Sequence, residues 1–303
     1  MRWMTLAVVF AGGVWGQDLS SAPKLPHKLV ENWAQLPPGW NFGECTGVDV
    51  DRNDNVWVFN RGRQKVIQFS PNGAVISSME NVPVMAAHGL EAGPDSNIWL
   101  VDVKGHAVMK VSPFGRLLLM MTNSYNRPGD NDSKYFFNEP TAVAFAPNGD
   151  FYVADGYVNS RVVKYNKDAE YVLHWGKKGK ADGEFDLVHD VAVDTGGLVY
   201  VADRTNARVQ IFDANGKFIR KWTHAGSPYG LHYQAREKAM YMVDGLNSRV
   251  VKLDLDGRVL GTLGSFGKIP GRFDAAHHIA VDSRGAIYVV EIRNWRVQKF
   301  AMP

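Results

Sequence analysis

The chain has 303 residues, 45% of them hydrophobic and 21% charged, enough apolar side chain for a sizeable core. Its formal net charge is +3, with both signs interspersed and no basic run, which argues against nucleic acid or an anionic membrane surface as partner. A single cysteine, Cys45, rules out an intrachain disulfide and reads as a small buried residue in a chain held by its packing.

In chain order, Met1-Arg2 precedes an apolar stretch from Trp3 to Phe10 and small residues up to Gly16. This pattern reads as a secretory signal over 1–16, leaving 17–303 as a mature domain, secreted or periplasmic. The alternative is a buried first strand. The apolar stretch is too short for a membrane span, and no later segment approaches ~20 uninterrupted apolar residues. Next comes KLVENWA, from Lys28 to Ala34, a strand with no obvious partner nearby.

Six segments then align without gaps. They are TGVDVDRNDNVWVFNRG from Thr46, HGLEAGPDSNIWLVDVK from His88 and TAVAFAPNGDFYVADGY from Thr141. HDVAVDTGGLVYVADRT follows from His189, YGLHYQAREKAMYMVDG from Tyr229 and HHIAVDSRGAIYVVEIR from His277. Their spacing is that of a propeller blade, about 40–50 residues. Within each unit, apolar alternation of period two and turns rich in Asn, Gly and Asp predict antiparallel strands. The fold class is therefore all-β, a six-bladed β-propeller of NHL-type repeats. The last unit ends after three strands, at Phe300 to Pro303. The stretch Lys28–Ala34 resembles the fourth strands EYVLHWG and KFIRKWT, so it is expected to complete blade six and close the ring. The polar insertion from Asn123 to Glu139 reads as a loop over one face.

An acidic residue ends the second strand of five units: Asp102, Asp155, Asp203, Asp244 and Glu291, with Asn60 in the first. A feature of almost every blade is architectural, so chemistry is sought where the blades differ. The first position of each unit holds Thr46, His88, Thr141, His189, Tyr229 and His277. Equivalent positions are related by rotation about the channel axis. Three histidines therefore alternate around the ring, and if the slot points inward they converge. Three neutral imidazoles with an open fourth position make a catalytic zinc site. The other histidines (His27, His106, His174, His224, His232 and His278) show no such register. Arg61 and Tyr157 stand out in the loops after the second strand of units one and three.

These residues carry a resemblance. AHGL around His88, DGYVNSR around Tyr157, FNRG around Arg61 and HDVAVD at His189 are similar to the peptidyl-α-hydroxyglycine α-amidating lyase family. The similarity runs over almost all of the mature chain. It implies a zinc enzyme with His88, His189 and His277 as ligands, Arg61 as a substrate-orienting cation and Tyr157 as catalytic base. It also implies calcium in the channel, on the backbone carbonyls of Val48 and Leu90 and an acidic residue just after the third histidine. That acidic residue is His278 here, and an imidazole is a poor ligand for a hard cation. Ala275 stands where the family has methionine.

The function expected is a carbon–nitrogen lyase acting on a small molecule or peptide that ends in an α-hydroxyglycine-like group. It would cleave the carbinolamine HO–CH(COO⁻)–NH–CO–R to an amide and glyoxylate. Free tyrosine ionises near pH 10, so Tyr157 would need Arg61 and zinc nearby to favour its phenolate. The alternative is a non-enzymatic secreted propeller that binds a peptide, glycan or protein partner. A lactonase-like hydrolase ranks last, because such enzymes hold calcium with carboxylate and amide oxygens and the inner slots here offer histidine.

Overall fold

The computed structural model describes residues 19–122 and 127–303. The expected signal over 1–16 lies outside the described residues. Twenty-four strands form six four-stranded antiparallel sheets, and the only helical turn among the described residues is Gly245–Asn247. No described helix is long and apolar enough to cross a membrane. The inner strands of blades one to six are Cys45–Val50, Ala87–Ala92, Pro140–Phe145, Val188–Val193, Pro228–Gln234 and Ala276–Val281. Inner and second strands are buried almost throughout, because each sheet is covered on both faces by neighbouring blades. The outer strands alternate, as Phe218–Trp222 does, because one of their faces meets water. Hydrophobic clusters fill the spaces between successive blades.

The ring closes as expected, with a shorter strand. Lys28–Val30 pairs antiparallel with Arg296–Ala301, through Lys28 with Ala301 and Val30 with Lys299. The chain then leaves blade six at Asn32, whose φ is +52°. Trp33 packs against Phe69 of blade one and Tyr288 of blade six, and the Gln35 amide donates to Gly73 O. The expected strand to Ala34 is thus split: its first half completes blade six and its second half clamps blade one. Burial of Trp33 across that seam stabilises closure; a fully buried large apolar side chain is worth roughly 1.5–3 kcal/mol.

The acidic residues at the ends of the second strands are architectural. Each accepts backbone N–H groups from the segment entering its own blade: Asp102 from Met85 and Ala86, Asp155 from Asn138, Asp203 from Asp186, Asp244 from Ser227, and Glu291 from Asp274. In blades three to six an arginine on the third strand completes the staple: Arg161, Arg208, Arg249 and Arg296. Arg161 is wholly buried and also donates to the carbonyls of Asn131, Ser133 and Phe136. The insertion, where described, is therefore pinned against blade three, with Phe137 in the core. Cys45 is fully buried, as expected, and burial pushes its thiol well above the ordinary range.

Candidate metal centre and active site

The first slot of each unit points into the channel for a local reason. In every blade the pairing of inner and second strands slips by one or more residues at this slot, for example between Ala87 and Leu90, Val188 and Asp190, and Ala276 and His278. A bulged residue leaves the ladder and its side chain is re-aimed. The slot residues thus turn toward the axis.

His88, His189 and His277 meet there. Their ligand atoms lie within 4.8 Å of one another, and all three residues are buried. Ring centroids are 4.7–4.9 Å apart. Each Nδ1 donates to the slot carbonyl of the next blade: His88 to Thr141 O at 2.7 Å, His189 to Tyr229 O at 2.7 Å and His277 to Thr46 O at 2.6 Å. A carbonyl only accepts, so these bonds put the hydrogen on Nδ1 and leave the Nε2 lone pair for a ligand. A backbone acceptor on the far nitrogen is the usual support of a metal-bound imidazole. Burial lowers His88 to about 3 and holds His189 and His277 well below the usual histidine range. The neighbouring imidazoles and the Arg61 and Arg204 charges act in the same direction. Three neutral, tautomer-fixed imidazoles fit a metal ion.

Tyr157 stands over this cluster. Its hydroxyl is 3.3 Å from His88 Nε2 and 3.3 Å from His189 Nε2. Blade three reaches the axis because its turn is one residue longer: the acid-to-arginine interval is Asp155 to Arg161 there but Asp203 to Arg208 in blade four. The extra room is made at Gly156, where a Cβ would lie 1.8 Å from Val188 O. Only glycine can pass that close, and the next residue is Tyr157.

Arg61 is held beside His88. Its Nε donates to Ala87 O at 3.2 Å and its NH1 to Glu44 Oε2 at 2.5 Å. The cation that touches Tyr157, however, is Arg204. Its NH1 lies 3.4 Å from the Tyr157 hydroxyl, and its guanidinium stacks 5.4 Å from the Tyr157 ring and 4.7 Å from the Tyr229 ring. The sequence reading missed it. The available signal was register, since Arg204 follows Asp203 as Arg61 follows Asn60.

Of the remaining histidines, His106 accepts from the Glu139 amide, while His27 and His224 hydrogen-bond to turn carbonyls. His174 pairs with Tyr171. His232 is lowered to about 4 by burial and faces Asp49 at 4.0 Å. His278 is no bystander: its Nδ1 lies 3.2 Å from Val48 O and its Nε2 3.1 Å from Asp190 Oδ2. Of the two carbonyls expected to hold calcium, Val48 and Leu90, that of Val48 is thus already engaged by an imidazole, and the His278 ring stands where the ion was expected.

Comparisons with known proteins bear on the repeat and the family. The NHL repeat family matches residues 137–165 and 185–212. Peptidyl-glycine alpha-amidating monooxygenase B of Xenopus laevis is 28% identical over 87% of this chain and 35% of its own length. Peptidyl-alpha-hydroxyglycine alpha-amidating lyase 1 of Drosophila melanogaster is 30% identical over 70% of this chain and 44% of its own. The chain belongs to the peptidyl-α-hydroxyglycine α-amidating lyase-like family of NHL-repeat propellers. This amidating-lyase-like chain spans about a third of the length of the Xenopus relative. Human NHL repeat-containing protein 3 is 28% identical over 91% of this chain and 84% of its own length. Among solved structures, a streptogramin B lyase superposes with a TM-score of 0.65 at 12% identity, covering 90% of this chain and 97% of that one. A gluconolactonase of Xanthomonas campestris gives 0.65 at 13% identity, covering 97% and 99%. At such identities these two establish the fold alone.

Proposed function

We propose that the chain is a zinc-dependent lyase that cleaves the C–N bond of a peptidyl-α-hydroxyglycine-type carbinolamine, giving an amide and glyoxylate. The observation that carries this reading is the Tyr157 hydroxyl 3.3 Å from two of three Nδ1-anchored histidines. Zinc on His88, His189 and His277 would supply Lewis acidity toward the carbinolamine hydroxyl oxygen and so ease loss of its proton. The Tyr157 oxygen would accept that proton. As the C–N bond breaks and the carbonyl of glyoxylate forms, the proton passes to the departing amide nitrogen. Arg61 presents a planar fork suited to the substrate carboxylate, and in this structure that fork pairs with the Glu44 carboxylate. Arg204, against the Tyr157 hydroxyl, holds that ring in place and supplies positive charge where negative charge would develop.

The test is glyoxylate release from α-hydroxyhippurate by the zinc-loaded chain and by Tyr157→Phe. The variant should keep its metal and lose at least a hundredfold in kcat, within the ~10²–10⁴ expected of acid–base catalysis. Full activity in Tyr157→Phe would falsify the assignment. The second reading, a binding propeller without catalysis, draws support from the near full-length match to a relative named only for its repeat. It predicts bound zinc with no glyoxylate release.

A further inference from the structure

At the first level below the three histidines the channel wall is almost bare, and Asp49, Glu91 and His232 follow two positions further along the inner strands. One position beyond the slot the inner strands carry glycine or alanine in four blades, and only Asp190 and His278 have polar side chains. The wall is also tight, since a Cβ at Gly230 would lie 2.9 Å from the His278 Cα. His278 is 8% exposed and Asp190 2%.

Hydrogen-bond chemistry settles how they meet. The Val48 carbonyl only accepts, so His278 Nδ1 donates to it across 3.2 Å. Asp190 already receives backbone amides on both oxygens, from Val191 at 2.8 Å on Oδ1 and from Leu231 at 2.7 Å on Oδ2. His278 Nε2 lies 3.1 Å from Asp190 Oδ2, within hydrogen-bond reach. One ring thus bridges an oxygen of blade one and an oxygen of blade four from its own place on blade six. A calcium ion would need six to eight oxygens at about 2.3–2.6 Å in the same volume, and the bridging ring takes both the space and two of the oxygens.

We propose that the His278 side chain takes the place of a bound divalent cation in this channel, so that the chain carries one metal ion, on the three histidines, and no calcium beside Val48. The ring does the mechanical work of such an ion by tying three blades together across the axis.

The experiment uses the full mature chain, with calcium and zinc measured in the same sample after dialysis against calcium-containing buffer. Wild type should hold no stoichiometric calcium, and neither 1 mM calcium (about a physiological extracellular level) nor EGTA should shift its Tm. His278→Asp restores an oxygen donor and removes the ring, so it should gain one calcium per chain and a calcium-dependent rise in Tm. His278→Leu, which removes both hydrogen bonds without adding an oxygen donor, should lower Tm without any response to calcium. One calcium per wild-type chain, a folded His278→Asp that binds none, or an unchanged Tm in His278→Leu would each overturn the proposal. The zinc reading keeps the outcomes separate, because loss of zinc would sink the three-histidine reading and leave the calcium result standing.

Discussion

Gly156→Ala isolates the link between backbone packing and the proposed chemistry. The added carbon would lie 1.8 Å from Val188 O, 2.5 Å from its carbonyl carbon and 2.6 Å from its nitrogen. Ordinary contact begins near 3.4 Å, and all three obstacles are backbone atoms of the inner strand of blade four. The two chains must part by roughly 1.5 Å, with an overpacking cost of about 1–3 kcal/mol. Tyr157 is the next residue, and its hydroxyl has little slack at 3.3 Å from each of two histidines. A displacement of ~1 Å in a reacting group costs about a hundredfold in rate. The assay is kcat for glyoxylate release, read with zinc content and urea midpoint. We expect kcat to fall about a hundredfold and zinc to be held more weakly, because Val188, the residue pushed aside, directly precedes the ligand His189. Wild-type kcat together with wild-type stability would refute the steric reasoning.

Other outcomes follow from the same structure. Arg161→Met strands the buried Asp155 carboxylate and frees three loop carbonyls; stability should drop by about 3–5 kcal/mol, and pairing it with Asp155→Leu should recover much of the loss, as urea unfolding would show. Arg204→Gln removes a charged contact to Tyr157 and should cost about tenfold to a hundredfold in kcat/KM, from the ~1.5–3 kcal/mol of such a bond; an unchanged value would exclude a role for it. His189→Ala leaves two imidazoles and should abolish stoichiometric zinc, measured by elemental analysis. Acid should destabilise the metal-free chain through His88, lowered to about 3, and His232, lowered to about 4. The unfolded chain takes up these protons near pH 6.5, so stability is full above that value and falls as pH drops toward the folded values. At pH 5 each histidine should cost about 2 kcal/mol. His278, raised by the Asp190 charge against the opposing effect of burial, has the opposite sign, its contribution being complete below pH ~6.5. The difference in pH slope between wild type and His232→Asn therefore isolates one group.

How far the sequence could be read depends on the range of each interaction. Strand alternation, turn residues and blade period are local or repeating properties, so they gave six blades and the alternating slots of His88, His189 and His277 without coordinates. The same register could have drawn attention to Arg204 but not to its partners. Tyr157 and Tyr229 come from different blades, one from a turn and one from an inner strand, and both rings meet the guanidinium only in the closed ring. The N-terminal strand was legible in kind but not in extent, since its break at Asn32 is dictated by the seam that Trp33 fills.

The sequence by itself determined the repeat, the all-β class and which positions are equivalent around the ring, because these follow from periodicity along one chain. Only the tertiary structure decided that the three imidazoles share one tautomer, that Arg204 rather than Arg61 meets Tyr157, and that His278 spans three blades. Each of these rests on atoms from strands far apart in the chain, brought within about 3.5 Å only when the ring closes and the inner strands bulge toward a common axis.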